Sequence, residues 1–215
     1  MQAKVIHPYS PTVIVVDDFF PKEKCKTIIE KAIEKDVFKQ SKVGDDPKTS
    51  STDYRRTSKG GFLNYEDCIE IYEFLLQAAN FLKVRPEQAE KAQLVKYDLG
   101  EEYAPHHDAF DKDSKQLEEG GPGQRIATAL LYLNTPMEGG ETSFPNLLIN
   151  PNQPGYEVQA TAGRCVFFTT TFLGKQDPHP KSLHGAIPIT KGEKYVCNYW
   201  FRENQMYQFK TPEDK

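Results

Sequence analysis

From residue 92 onward the chain consists of short runs rich in β-branched and aromatic residues, each broken off by Gly, Pro or Asn. The runs cover residues 93–98, 125–133, 163–170, 182–189 and 194–202, and no useful helical period interrupts them. Many short strands with regular turns close into a sandwich or a barrel. The first part has a different texture. Residues 12–17 (TVIVVD) form a β-branched strand, and residues 22–35 place Cys25, Ile28, Ile29, Ala32 and Ile33 at helical spacing. Residues 43–61, rich in Lys, Ser, Thr, Asp and Gly, carry no period and read as a loop. A second amphipathic helix is predicted over 65–82, with Ile69, Tyr72, Leu75, Leu76 and Ala79 on one face, and a short helical piece starts at Pro86. The expected architecture is mostly β with supporting N-terminal α-helices. Residues 1–215 form one domain, with 1–91 as helical support and substrate loop and 92–205 as the β core.

Charge and cysteine usage narrow the function classes. A net charge of −4 with basic residues scattered among acids provides no nucleic-acid footprint. No run approaches the ~18 apolar residues of a membrane span, and residues 1–10 lack a signal-peptide pattern. Cys25, Cys68, Cys165 and Cys197 form no CxxC pair and sit in apolar stretches, which suits buried free thiols. A cytoplasmic location is the default expectation.

The feature that demands chemistry is His106-His107-Asp108, in a chain of only five histidines. In extended backbone, residues i and i+2 share a side, so His106 and Asp108 can bind one ion while His107 faces away. One distant histidine completes a 2-His-1-carboxylate triad with open positions opposite the protein ligands. The candidates are His184, opening a strand-like run, and His179, lodged between two prolines. If Thr190-Lys191-Gly192 closes a hairpin, His184 faces Asn198, Pro188 faces Lys194, and residues 184, 188, 194, 198 and 200 share one face. Lys194 then lies ~13 Å from His184 along the strands, within reach of a five-carbon dicarboxylate on the metal. Trp200 lies on the other side of His184, where a substrate would approach.

These residues resemble the prolyl 4-hydroxylase family of iron(II)/2-oxoglutarate oxygenases. Tyr97-Asp-Leu-Gly100-Glu-Glu-Tyr103-Ala-Pro-His106-His-Asp108 is similar to the family's Y-x-x-G-x-x-Y-x-x-H-x-D segment. Arg125-Ile-Ala-Thr128 followed by Gly139-Gly-Glu-Thr142-Ser-Phe-Pro145 resembles its R-x-x-T strand and G-G-E-T-x-F-P turn. Asp177-Pro through Ser182-Leu-His184, then Lys194 and Trp200, match its closing pattern; Arg56-Thr-Ser58 matches more loosely. The resemblance implies a double-stranded β-helix (jelly-roll) barrel. It implies His106, Asp108 and His184 as iron ligands and Lys194 as partner of the distal carboxylate of 2-oxoglutarate, with Tyr97 and Thr142 bonding the same cosubstrate. Tyr103, Arg125, Trp200 and Arg56 would line the site of a proline-containing peptide, with residues 43–61 folding over it as a lid. The implied cofactor is Fe(II), with 2-oxoglutarate and O2 as cosubstrates and ascorbate as reductant. Departures are Tyr195 where many members carry Trp, His107 at the variable position, and a Gly-rich loop over residues 118–124 beside the mouth. Assembly into a secreted-collagen machinery is not expected. Alternatives are the same chemistry on another residue or a small molecule, a non-catalytic metal- or peptide-binding barrel, and a zinc hydrolase. Oligomeric state is not legible.

Overall fold

The strand Lys194–Arg202 (KYVCNYWFR) shows how the main sheet is used. Tyr195, Cys197, Tyr199 and Phe201 turn to one face and join an apolar cluster with the helices. Lys194, Val196, Asn198 and Trp200 turn to the other face and line a cavity. The period-2 alternation of a strand sorts the sequence into packing and site residues.

The computed structural model describes residues 2–40, 56–149 and 155–206. Its strands and helices run β1 (Gln2–His7), β2 (Val13–Asp17), α1 (Lys22–Glu34), β3 (Lys39–Gln40), β4 (Lys59–Phe62), α2 (Ile69–Leu82), β5 (Gln93–Tyr97), β6 (Tyr103–His106), β7 (Arg125–Tyr132), β8 (Glu138–Gly139), β9 (Thr142–Phe144), β10 (Tyr156–Val158), β11 (Cys165–Thr169), β12 (His184–Ala186), β13 (Ile189–Lys191) and β14 (Lys194–Arg202). Among the described residues, an eight-stranded sheet runs β1-β2-β11-β7-β14-β5-β4-β3 and a four-stranded sheet runs β10-β9-β12-β6, with β13-β8 as a small third sheet. The two larger sheets sandwich a core of Val13, Val15, Val95, Tyr132, Phe144, Val166, Phe168 and neighbours. On the outer face of the large sheet, α1 and α2 bury Cys25, Ile28, Ile71, Phe74 and Leu75 against Phe167, Tyr199 and Phe201. This is the jelly-roll plan with supporting helices. No helix among the described residues is long and apolar enough to cross a membrane.

The predicted strands over 93–98, 125–133, 163–170 and 194–202 form within a residue or two of their expected limits. Helix α2 starts at Ile69 rather than 65, because residues 65–67 make turns and Cys68 takes an extended backbone at the helix start. The loop over 43–61 needs correction at its end: Lys59–Phe62 is strand β4, paired to β5. Its residues 43–55 lie outside the described residues. The N-terminal stretch also supplies β1, β2, β3 and β4 to the large sheet, and β1 was not foreseen.

The expected hairpin between 182–189 and 194–202 does not form. Strand β12 pairs with β6 and β9 in the small sheet, β13 pairs with β8, and β14 pairs with β5 and β7. Thr190 and Lys191 lie in β13 instead of a turn, and the chain bends at Gly192 on its way to the large sheet. Local turn chemistry favours a hairpin, but burying both sheet faces against each other stabilises the crossover.

All four cysteines are buried and free, and burial pushes the Cys25 thiol up to about 12. The helix layer is pinned by aromatic packing: Phe167 on β11 stacks on Phe81 at 4.3 Å and meets Phe19 edge-on at 4.9 Å. Phe167→Ala should cost about 3–5 kcal/mol of unfolding free energy, measured by urea denaturation. A loss below about 1 kcal/mol would show that the helix layer docks without this contact.

Candidate active site

Three side chains converge between the sheets. His106 ends β6 and pairs in register with His184 at the start of β12, which brings their rings to 4.5 Å between centroids. Asp108 lies two residues past His106, with its Oδ1 3.7 Å from His106 Nε2 and its Oδ2 3.6 Å from His184 Nε2. Their ligand atoms all lie within 4.8 Å of one another. Each ring is fixed by its other nitrogen: His106 Nδ1 donates to Ala104 O at 3.0 Å and His184 Nδ1 to Ser182 O at 2.9 Å. A carbonyl only accepts, so both protons sit on Nδ1 and both Nε2 lone pairs face the centre. Burial, with His184 beside it, pushes His106 down to about 3, so it is neutral at pH 7. For Asp108, burial alone would raise the carboxyl. The adjacent His184 and His106, with Arg125 and the Thr128 hydroxyl, outweigh this and hold it below the usual carboxylate range. Thr128 Oγ1 donates to Asp108 Oδ2 at 2.7 Å. Two imidazoles and one carboxylate on one side of an open cavity are the donor set of a divalent metal with free positions.

The cavity has a volume of about 360 Å³, enough for a small ligand. At one end stands Lys194, 2% exposed. Its Nζ lies 5.0 Å from the Tyr97 ring centre and 5.5 Å from that of Tyr132. Among the described residues no salt bridge reaches it, and burial pushes its ammonium down to about 7, with Glu141 opposing. A buried cation without an anion is costly, and a ligand carboxylate would relieve it. Beside it, Tyr132 Oη donates to Thr142 Oγ1 at 2.7 Å. Gly140 lets the lysine stem pass: at φ 78°, a Cβ there would lie 2.4 Å from Ile189 Cδ1 and 3.1 Å from Lys194 Cδ.

At the other end is Trp200. The Arg125 guanidinium lies 3.8 Å above its ring. It is held by Glu90 through Nε and Nη2, both at 2.7 Å, and donates to Asp108 O at 3.3 Å. Glu90 also accepts from Arg202 Nη1 at 2.9 Å. Arg202 in turn donates to Gly123 O and Gln116 O, at 2.8 and 3.0 Å. The Gly-rich loop over 118–124 is thereby fastened to the end of β14. On the facing wall, Tyr103 stacks on His106 at 3.6 Å, and Arg56 lies 4.8 Å over Tyr103.

Comparison with known proteins supplies the relationship. Residues 92–202 match the family model of the 2OG-Fe(II) oxygenase superfamily. The probable prolyl 4-hydroxylase 10 of Arabidopsis thaliana is 34% identical over 210 residues, covering 92% of this chain and 71% of that protein. Prolyl 4-hydroxylase 1 of the same plant is 35% identical, over 91% of this chain and 70% of its own length. This chain belongs to the prolyl 4-hydroxylase family of 2OG-Fe(II) oxygenases. A solved relative, the viral collagen prolyl hydroxylase of Paramecium Bursaria Chlorella virus-1, superposes with a TM-score of 0.69 at 25% identity, covering 88% of this chain and 95% of that one. The prolyl hydroxylase of Trichoplax adhaerens in complex with a hypoxia-inducible-factor peptide shares the fold, with a TM-score of 0.64 at 15% identity. As a member of this family the chain is a 2-oxoglutarate-dependent dioxygenase that uses Fe(II) and O2.

The structure brings all ten residues singled out in the sequence to one cavity. It does not bring His179 there. His179 Nδ1 accepts from Lys181 N at 3.1 Å and its ring packs on Phe172. His184 and Lys194 reach the cavity from opposite sheets, not from one hairpin face. Arg125 keeps its place at the cavity while its guanidinium is paired to Glu90. Sequence reasoning missed Thr128, Tyr132 and Glu90. Thr128 and Tyr132 alternate inward along β7, so strand parity could have found them; nothing local marked Glu90.

Glu90 bridges two guanidiniums, the half-buried Arg125 and the buried Arg202. Glu90→Ala should destabilise the fold by about 3–5 kcal/mol, the usual loss on breaking a buried ion pair from one side. Thermal and denaturant unfolding test this; a change under about 1 kcal/mol would mean that solvent replaces the carboxylate.

Proposed function

We propose that this chain is a prolyl 4-hydroxylase of peptide substrates, in which His106, Asp108 and His184 hold Fe(II), Lys194 anchors 2-oxoglutarate, and the substrate proline enters beside Trp200. The observation that carries the assignment is the pairing of a two-histidine, one-carboxylate cluster with a buried lysine that no carboxylate reaches, in the same cavity. A zinc hydrolase would leave that lysine without a purpose. Residues 1–215 act as one unit in this reading, since the helix layer backs the strands that carry the site.

When bound, iron with 2-oxoglutarate and O2 supplies the oxidation that places a hydroxyl on the substrate carbon, releasing succinate and CO2. The protein supplies orientation and exclusion of water. The two Nδ1–H groups, held by backbone carbonyls, keep both Nε2 atoms aimed at the metal. Thr128 holds the Asp108 carboxylate in place and ionised. Lys194 sets which way a dicarboxylate lies, with the Tyr97 and Tyr132 rings shielding the pair from solvent and Thr142 offering a hydroxyl beside it. Trp200 provides a flat apolar wall suited to a pyrrolidine ring, Arg125 keeps its indole from turning away, and Tyr103 steadies the His106 ring by stacking on it.

Succinate release in the presence of Fe(II), 2-oxoglutarate, O2 and proline-containing peptides tests the assignment, with products read by mass spectrometry. Peptide-stimulated turnover with a +16 Da product on proline is expected, and none with His184→Ala. Turnover that no proline peptide stimulates would retain the oxygenase and discard the prolyl substrate.

The Lys194 role has its own signature. With a free-protein pKa of about 7, Lys194 is charged below that pH and neutral above it, whereas a bound carboxylate keeps it charged. Above pH 7, 2-oxoglutarate must therefore bind together with a proton, and its affinity falls as pH rises. A weakening of about fivefold between pH 7 and 8 is expected, with proton uptake visible by calorimetry in two buffers of different ionisation heat. Lys194→Ala should bind about 100-fold more weakly and lose the pH dependence. An unchanged pH profile in that variant would remove Lys194 as the partner.

A further inference from the structure

Among the described residues, two buried side-chain polar atoms have no hydrogen-bond partner: Asn198 Oδ1 and Trp200 Nε1. Both belong to β14, two residues apart, and both residues line the cavity. Buried polar atoms are almost always paired, so two orphans side by side on a cavity wall mark a missing partner. Neighbouring side chains do not supply one. Asn198 stands in register with Leu130 on β7 and Gln93 on β5. Leu130 has nothing to donate, and Gln93, although it lies opposite and lines the same wall, leaves the Asn198 oxygen unbonded. Trp200 cannot turn to find a partner, because its ring is clamped under Arg125.

The chemistry of the pair is specific. Trp200 Nε1–H is a donor and Asn198 Oδ1 an acceptor, offset by one strand repeat of about 6.6–6.8 Å. An extended peptide presents backbone C=O and N–H groups on one side at that repeat, so one main chain can meet both atoms. The wall continues past Gln93 to Phe62 on β4, which lies across from Gln93 in register and lines the cavity although 57% exposed. Gln93 and Phe62 therefore continue the cavity wall across β5 and β4.

We infer that Asn198 is a specificity residue that accepts a hydrogen bond from a backbone N–H of the substrate peptide, and so excludes proline from one position flanking the target proline. This rests on the peptide-hydroxylase reading. Proline has no N–H; placed there it would leave the Asn198 oxygen buried and unpaired while its ring Cδ pressed against it. Sites built to bond a group reject analogues lacking it far more strongly than they reject a change of size. The enzyme would thus act on isolated or spaced prolines and discriminate against unbroken polyproline.

The test is an N-methyl scan of an accepted proline peptide, methylating each backbone nitrogen flanking the target in turn and measuring kcat/KM. In the wild type, one position should lose roughly tenfold or more. Asn198→Leu, similar in shape but with no acceptor, should be slower on the parent peptide and discriminate less than about twofold between it and the methylated one. Asn198→Asp, which keeps acceptor oxygens, should preserve the discrimination. Should Asn198→Leu fail to fold, as judged by thermal unfolding and 2-oxoglutarate binding, Asn198→Ala serves and should lose the discrimination in the same way. The inference is overturned if the acceptor-free variant keeps the wild-type ratio, or if no flanking position is sensitive in the wild type. A wild type that hydroxylates no proline peptide at all removes the functional reading, and this inference with it.

Discussion

The alternation of side chains along β14 is the constraint on which the rest of the molecule depends. Its outward residues, Tyr195, Cys197, Tyr199 and Phe201, glue the sheet to the helices. Its inward residues, Lys194, Val196, Asn198 and Trp200, line the cavity from the cosubstrate end to the substrate end. The strand is paired on both sides, with Lys194 opposite Tyr97 and Trp200 opposite Thr128. A slip of one residue would send an ammonium, an amide and an indole N–H into the helix-packing core, and send Tyr195 and Phe201 into the cavity. Register is thus held by burial on two faces at once, which also explains why the site sits on strands rather than on adaptable loops.

Where polar groups are buried, they divide by whether the fold satisfies them. Gln124 is fully buried, yet its side chain bonds Phe110 N, Phe110 O and Gln176 O, each at 2.8 Å. Glu90 closes on two arginines. Asp108 is bonded by Thr128 and flanked by imidazoles. The two unsatisfied atoms among the described residues, Asn198 Oδ1 and Trp200 Nε1, and the ammonium of Lys194, which no carboxylate reaches, all come from one face of one strand and border the same space. Native folds carry few such groups, and the exceptions concentrate where a ligand completes them. Their positions trace a path that a dicarboxylate and a peptide could share, with the metal cluster between.

The β texture, the two helices and the His106/Asp108 pair were legible because each rests on local period or on a spacing of two residues, whereas His184 was singled out from His179 only by the family resemblance. The geometry linking His184 to Lys194 was not legible. Thr190-Lys191-Gly192 has good hairpin chemistry, and the hairpin reading put the two residues on one face. They do border one cavity, but from opposite sheets, since β12 and β14 face each other across it. A local turn signal cannot distinguish a strand that folds back beside its neighbour from one that crosses to the facing sheet; only the demand to bury both inner faces decides. Glu90 was invisible for a related reason. Its partners, Arg125 and Arg202, are 35 and 112 residues away in sequence, and no period or motif joins them.

Arg125 shows why a structural and a functional role need not compete. Its fork is saturated by Glu90 on one edge and reaches the Asp108 carbonyl on the other, while its flat face lies on Trp200. The ion pair leaves the guanidinium little to offer a ligand, so its effect at the substrate end is mechanical: a planar cation held on one side of an indole leaves the other side as a fixed wall. Tyr103 lies between the Arg56 guanidinium and the His106 ring. With Tyr103 covered by both, the aromatic face braced from behind by an arginine is that of Trp200, and it bounds the space in front of the metal cluster. A rigid ring such as proline suits a wall that does not move, whereas a flexible chain would gain little from it. The bracing arginine therefore favours a cyclic residue at the reacting position on geometry alone.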